Sequence, residues 1–121
     1  MDERTLIELK TRLENERVRL GLQIEELSAL GRELQSEATG ENAYRDHMAD
    51  QGSATFEREL DATLEENLRE MLDDVVAALA RVEAGGYGSC DRCGAEIPME
   101  RLEAVPTASL CITCKSADEQ R

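Results

Sequence analysis

The sequence predicts an all-α chain in which a long antiparallel coiled-coil hairpin precedes a small C-terminal four-cysteine module. Three observations carry this. Leucines stand at 6, 13, 20, 27 and 34, a strict seven-residue repeat. A second apolar periodicity runs through a stretch without Gly or Pro, from Ser53 to Ala84. All four cysteines lie beyond the Gly85-Gly86-Tyr87-Gly88 run. The composition agrees: apolar residues make up 40% of the 121, aromatic residues 2% and charged residues 34%, a balance that suits charge-laced helices better than a sandwich or a wound sheet.

The first helix is expected from about Thr5, where Thr5 and Glu8 have capping-box spacing, to a stop at Gly40. Leu9, Ile24 and Leu30 widen the leucine stripe, and Arg12, Glu14, Glu16, Arg19, Glu25 and Glu26 flank it, as a coiled coil requires. Gly21 and Gly31 weaken it by about 1 kcal/mol each relative to Ala. In the second helix Phe56, Leu60, Leu64, Leu68, Met71 or Leu72, Val75, Leu79 and Val82 recur every three or four residues, with Ser53 or Thr55 available as a cap. Each stretch would be about 48 Å long at 1.5 Å per residue. Two stripes of matched length predict a hairpin spanning 1–84, with its tip at about 37–52, and a monomer. Pairing of the first helix with its copy in a homodimer is the alternative. Residues 85–121 form the second domain, with both prolines and a short terminal helix from about Ile112.

Charge separates the two parts. Residues 1–84 carry 10 basic and 21 acidic side chains, net −11, and residues 85–121 carry 4 and 6, net −2. The total of −13 would repel a bare phosphate backbone, so direct nucleic-acid binding through a basic face is not expected. The longest uncharged apolar run, Val75 to Ala80, is far too short for a bilayer, and the charged first thirty residues lack the pattern of a signal peptide. No membrane association and a cytoplasmic location follow as expectations.

The cysteines read Cys90-Asp-Arg-Cys93 and Cys111-Ile-Thr-Cys114, with 17 residues between the pairs. Two such knuckles can close a thiolate tetrahedron around zinc at Zn–S distances of about 2.3 Å. Four thiolates fill the coordination sphere, so this zinc would fold the module and leave no position for a reacting water. A thioredoxin-like redox pair or two disulfides are the other readings; the redox pair wants a βαβ setting for which the chain has no room. Ile97, Leu102, Val105 and Leu110 are the expected core beneath the site.

Asp46, His47 and Asp50 fall in the expected tip, where carboxylates could bind a metal, act as acid and base, project charge at a partner, or simply be solvated. No Ser-His-Asp order, P-loop or glycine-rich phosphate cradle is present, so the chain is not expected to be an enzyme.

The stretches Tyr87-Gly88-Ser89-Cys90-Asp-Arg-Cys93-Gly94, Arg101-Leu102-Glu103-Ala104-Val105-Pro106-Thr107 and Leu110-Cys111-Ile-Thr-Cys114-Lys115 resemble the zinc module of the DksA/TraR family of bacterial regulators. Asp46-His-Met-Ala-Asp50-Gln-Gly52 through Phe56-Glu57-Arg58 resembles the tip of its shorter members. The resemblance implies a transcription regulator that binds RNA polymerase, with the hairpin entering the secondary channel and Asp46, His47, Asp50 and Gly52 as its modulating tip. Of the family's paired tip aspartates, Asp50 keeps the second; His47 stands at the first, or Asp46 one position away. Where the family holds the alarmone ppGpp with basic residues, this chain has Asn67, Asp74 and Val105, with Lys115 retained. Weak or absent ppGpp dependence is therefore expected. Two rivals stand beside this reading: a coiled-coil adaptor for an unrelated protein, and a zinc-ribbon nucleic-acid binder.

Overall fold

The computed structural model describes residues 1–38 and 41–120, and side chains at 1–32 and 57–120. Four helices account for most of it: α1 (Glu3–Ala38), α2 (Glu41–Ala84), α3 (Met99–Ala104) and α4 (Ile112–Glu119). Among the described residues no strand forms, only an isolated antiparallel bridge between Ser89 and Glu96. None of the described helices is long and apolar enough to cross a membrane.

Helix α1 starts two residues before the expected capping box. The Thr5 amide donates to the Asp2 carboxylate at 2.7 Å, so Asp2 is the cap. That hydrogen bond holds the Asp2 carboxyl below its ordinary range. At the other end α1 is described to Ala38, and the expected stop at Gly40 lies outside the described residues.

Helix α2 differs more. It begins at Glu41, not at Ser53, and is 44 residues long against 36 for α1, so the two are not matched. The span 37–52, read as a polar tip, carries helix through Ala38 and again from Glu41. Residues 41–52 contain no Pro and a single Gly, and Glu, Ala, Arg, Met and Gln all tolerate helix well.

The end of α2 is built as the sequence implied. Gly85 has φ 83°, the Gly86 amide donates to the Arg81 carbonyl at 2.9 Å, and the Gly85 amide donates to that of Val82 at 3.3 Å. These bonds satisfy the last carbonyls, and the left-handed residue is one that only glycine adopts without strain.

The chain forms two compact units, one of Met1–Val18 with Leu72–Arg121 and one of Arg19–Met71. In the first, Leu9, Leu13, Val75 and Ala78 are buried between the helices, and Lys10 Nζ meets Glu83 Oε1 at 3.2 Å. In the second, Leu20 and Ile24 are buried, and the Ser28 hydroxyl donates to Glu65 Oε1 at 2.6 Å. The residue numbers of both cross-helix pairs add to 93, so α1 and α2 pair antiparallel in the same register in each unit. The hairpin therefore forms within one chain.

The expected partners of the leucine stripe are only partly enclosed. Leu60, Leu64 and Met71 are 51%, 47% and 47% exposed, Leu68 and Leu72 are half-buried, and Leu30 is 45% exposed. An open groove of about 380 Å³ in the second unit is lined by Leu27, Ser28, Gly31, Ala62 and Glu65 among others, and no neighbouring atom approaches the place of a Gly31 Cβ.

Candidate metal centre

The first cysteine pair sits on a tight turn. The Cys90 amide donates to the Ala95 carbonyl at 2.7 Å, the Gly94 amide to the Cys90 carbonyl at 2.9 Å, and the Ile97 amide to the Gly88 carbonyl at 2.8 Å. Gly94 closes the turn with φ 78°. The second pair is set differently, at the head of α4. Cys111 is the N-cap, its sulfur accepts from the Cys114 amide at 3.5 Å, and Cys114 lies one turn into the helix. A helix N-terminus favours a thiolate there, because its first amides lack backbone partners.

A bond from the Asp91 amide to the Ser109 carbonyl, 2.8 Å, ties the knuckles together, and Arg92 Nη2 reaches Asp118 Oδ1 on α4 at 3.0 Å. The four sulfurs of Cys90, Cys93, Cys111 and Cys114 lie within 4.8 Å of one another, with 3.7 Å between those of Cys93 and Cys111. A zinc tetrahedron with Zn–S bonds of about 2.3 Å has sulfur–sulfur edges of about 3.8 Å. The donor set fits zinc in number, type and spacing.

Electrostatics agree. Backbone amides of Cys93 and Cys111 pull the Cys90 thiol down to about 6, and the Cys111 thiol is also lowered, chiefly by the Cys114 amide. The Cys114 thiol is pushed up to about 12, first by its contact with Cys111. Four sulfurs this close cannot all ionise without a cation among them, and a divalent ion removes the conflict.

Beneath the site, Ile97 and Leu102 are buried as expected and Leu110 is half-buried, but Val105 is 46% exposed. Val105 follows the last residue of α3 at the helix C-cap, and the turn there directs its side chain outward. Its place in the core goes to Tyr87 and Ala108. The Tyr87 hydroxyl donates to the Pro106 carbonyl at 2.7 Å, and burial raises its phenol pKa. Arg101 Nε donates to the Leu110 carbonyl at 3.2 Å, and Arg81 Nη2 to the Thr107 carbonyl at 3.2 Å. Three side chains thus satisfy carbonyls of the loop leading into the second knuckle. None was singled out for this in the sequence, since a bond from a side chain to a distant carbonyl leaves no local pattern.

The side chains of Asp46, His47 and Asp50, and Gly52 with them, lie outside the described residues. Asn67 and Asp74 are exposed, and Lys115 Nζ stands 4.0 Å from Glu119 Oε1.

Comparison with known proteins extends the picture beyond the cysteines. A family model described as the prokaryotic dksA/traR C4-type zinc finger matches residues 85–120. General stress protein 16O of Bacillus subtilis is 42% identical over 95 residues, covering 75% of this chain and 58% of that protein. The chain thus spans little more than half of that relative. The RNA polymerase-binding transcription factor DksA of Caulobacter vibrioides is 33% identical over 97 residues, covering 80% of this chain and 68% of that one. The structure of transcription factor DksA2 from Pseudomonas aeruginosa superposes with a TM-score of 0.83 at 31% identity, covering 100% of this chain and 88% of the other. With the thiolate cluster and the C4 match in hand, the module carries one structural zinc ion.

Proposed function

The chain belongs to the DksA/TraR family, and from that membership we propose that it is a non-enzymatic transcription regulator that binds RNA polymerase. The supporting observation is that likeness to a polymerase-binding DksA extends over 80% of the chain, well beyond the zinc finger. In this reading the hairpin of residues 1–84 enters the polymerase secondary channel and presents Asp46, His47, Asp50 and Gly52 toward the catalytic centre. Residues 85–121 stay outside, folded around zinc held by Cys90, Cys93, Cys111 and Cys114. The protein acts as a monomer in the cytoplasm.

Charge supplies the mechanism. A helical hairpin of the length of α1 spans about 54 Å at 1.5 Å per residue, enough to reach an enclosed site. A carboxylate carried there competes with the phosphates of the reaction for its metal ions. Asn67, Asp74 and Val105 offer no cation to ppGpp, so regulation is independent of the alarmone or nearly so.

The test uses the zinc-loaded full chain, core polymerase and in vitro initiation. Asp50→Asn keeps the shape and removes the charge; it should bind as wild type does while its effect on initiation falls sharply. Asp46→Asn should lose less. Unchanged regulation in both variants would return the tip to an inert role, and failure of wild type to bind core polymerase would refute the reading.

A further inference from the structure

In the unit Arg19–Met71, α2 turns a row of large apolar side chains to solvent. Leu60, Leu64 and Met71 are each about half exposed. At 100° per residue they fall with Asn67 within an arc of about 60°, so they form a single file along the helix. About 110° around the helix from this file, on the face away from Ser28 and α1, stand Glu59, Glu66 and Glu70, all exposed. Among the described residues none of these three carboxylates has a cationic partner; Arg69 is committed to Glu65 at 2.9 Å on the opposite flank.

A soluble helix normally covers such a file or breaks it with charge. Here the file persists, and a row of acids accompanies it. What covers it must be apolar at its centre and basic along one edge. A second copy does not meet that description, since it would bring like-charged rows together in a chain of net charge −13. Nucleic acid and anionic lipid are repelled by the same carboxylates.

We infer that the Leu60–Leu64–Met71 file is a docking strip for an apolar, basic-rimmed protein surface, which on the reading above belongs to RNA polymerase. The strip supplies grip by desolvation and the acidic row supplies orientation and rate of encounter. This assignment rests on the polymerase reading and adds to it the residues that hold the hairpin, separate from the tip that acts.

The experiment titrates core polymerase with full-length, zinc-loaded variants at low and high salt. The double variant Leu64→Gln with Met71→Gln should bind at least about tenfold more weakly at both salt concentrations, as loss of two central apolar contacts does. The double variant Glu66→Gln with Glu70→Gln should bind about threefold to tenfold more weakly at low salt and should lose part of the salt dependence. Asn67→Leu completes the file and should bind more tightly than wild type, an effect that misfolding cannot imitate. Leu22→Gln changes a residue 56% exposed on α1, away from the strip, and should leave affinity unchanged. Wild-type binding that the Leu64/Met71 variant retains would overturn the inference alone. Wild type that fails to bind would remove the polymerase reading and the strip with it. Sedimentation showing a wild-type dimer that the Leu64/Met71 variant dissolves would overturn the inference in favour of self-association.

Discussion

The two units use one pair of helices in opposite ways. Of eleven buried apolar side chains among the described residues, nine belong to the unit of Met1–Val18 and Leu72–Arg121, and only Leu20 and Ile24 to that of Arg19–Met71. The heptad does not change between them, so the seven-residue period alone does not decide burial. What decides it is what each leucine meets. Leu9 and Leu13 lie in the unit that also buries Val75, Ala78 and the zinc module's own core. The second unit sets Gly31, Ala62 and the Ser28–Glu65 pair along its groove and leaves Leu60, Leu64 and Met71 half open. Among the described residues the first unit holds most of the buried side chains, and the second leaves a file of α2 half open.

The harshest way to test that division is to remove the metal. Cys114→Ala, or chelation, should release zinc and unfold residues 85–121, because zinc binding to such modules supplies on the order of 10 kcal/mol or more of folding free energy. Metal content should fall to zero and amide exchange should accelerate in the module, while amides of the Arg19–Met71 unit keep most of their protection. Uniform loss of protection would show that the units do not unfold separately.

Truncation probes the same contrast more gently. Leu13→Ala and Leu102→Ala, at 1% and 0% exposure, should each cost about 2–5 kcal/mol in urea unfolding. Leu64→Ala should cost less than about 1 kcal/mol, since little area leaves water there. Equal costs would contradict the described exposure.

Glycines sharpen it further, since here the sign should change. Gly88 has φ 91°, and a Cβ there would lie 2.9 Å from Met1 Cε, so Gly88→Ala should destabilise by about 1 kcal/mol or more. Gly31 is helical with open space around it, and Gly31→Ala should stabilise by about 0.5–1 kcal/mol. Thermal midpoints of the two variants should move in opposite directions.

The smallest expected effect is a titration. The Ser28 hydroxyl, and after it Arg69, hold the Glu65 carboxyl below its ordinary 4.5. A carboxyl depressed in the folded state contributes stability that is fully present above the unfolded value and is lost as pH falls through the folded one. The cross-helix contact should therefore weaken only below pH 4.5. In Ser28→Ala the Glu65 midpoint, followed by NMR, should move up toward the ordinary value.

Much of this was legible in the residues. The leucine period placed α1, the glycine run placed the end of α2, and the two CxxC pairs named a cluster whose sulfurs do converge. Those signals are local and tied to fixed geometry. The start of α2 was not legible, because a polar helix and a polar loop share a composition when no proline separates them. Nor were the exposure of Val105 and the burial of Tyr87, which depend on the turn after α3 and on a carbonyl 19 residues away. The half-open state of Leu64 and Met71 was hidden for a related reason: periodicity gives the face a residue occupies but not whether anything lies against it.

Tyr87 has a practical consequence of its own. The chain has no Trp and two Tyr, and Tyr87 is buried in the zinc module with its hydroxyl held by Pro106. Near-ultraviolet ellipticity and tyrosine emission will therefore carry a signal from the metal-bound part, while far-ultraviolet ellipticity is dominated by α1 and α2. Replacing Tyr44 with Phe would leave Tyr87 as the single chromophore of its kind. Folding around the ion could then be followed optically, without a label, in the same cuvette as helix formation.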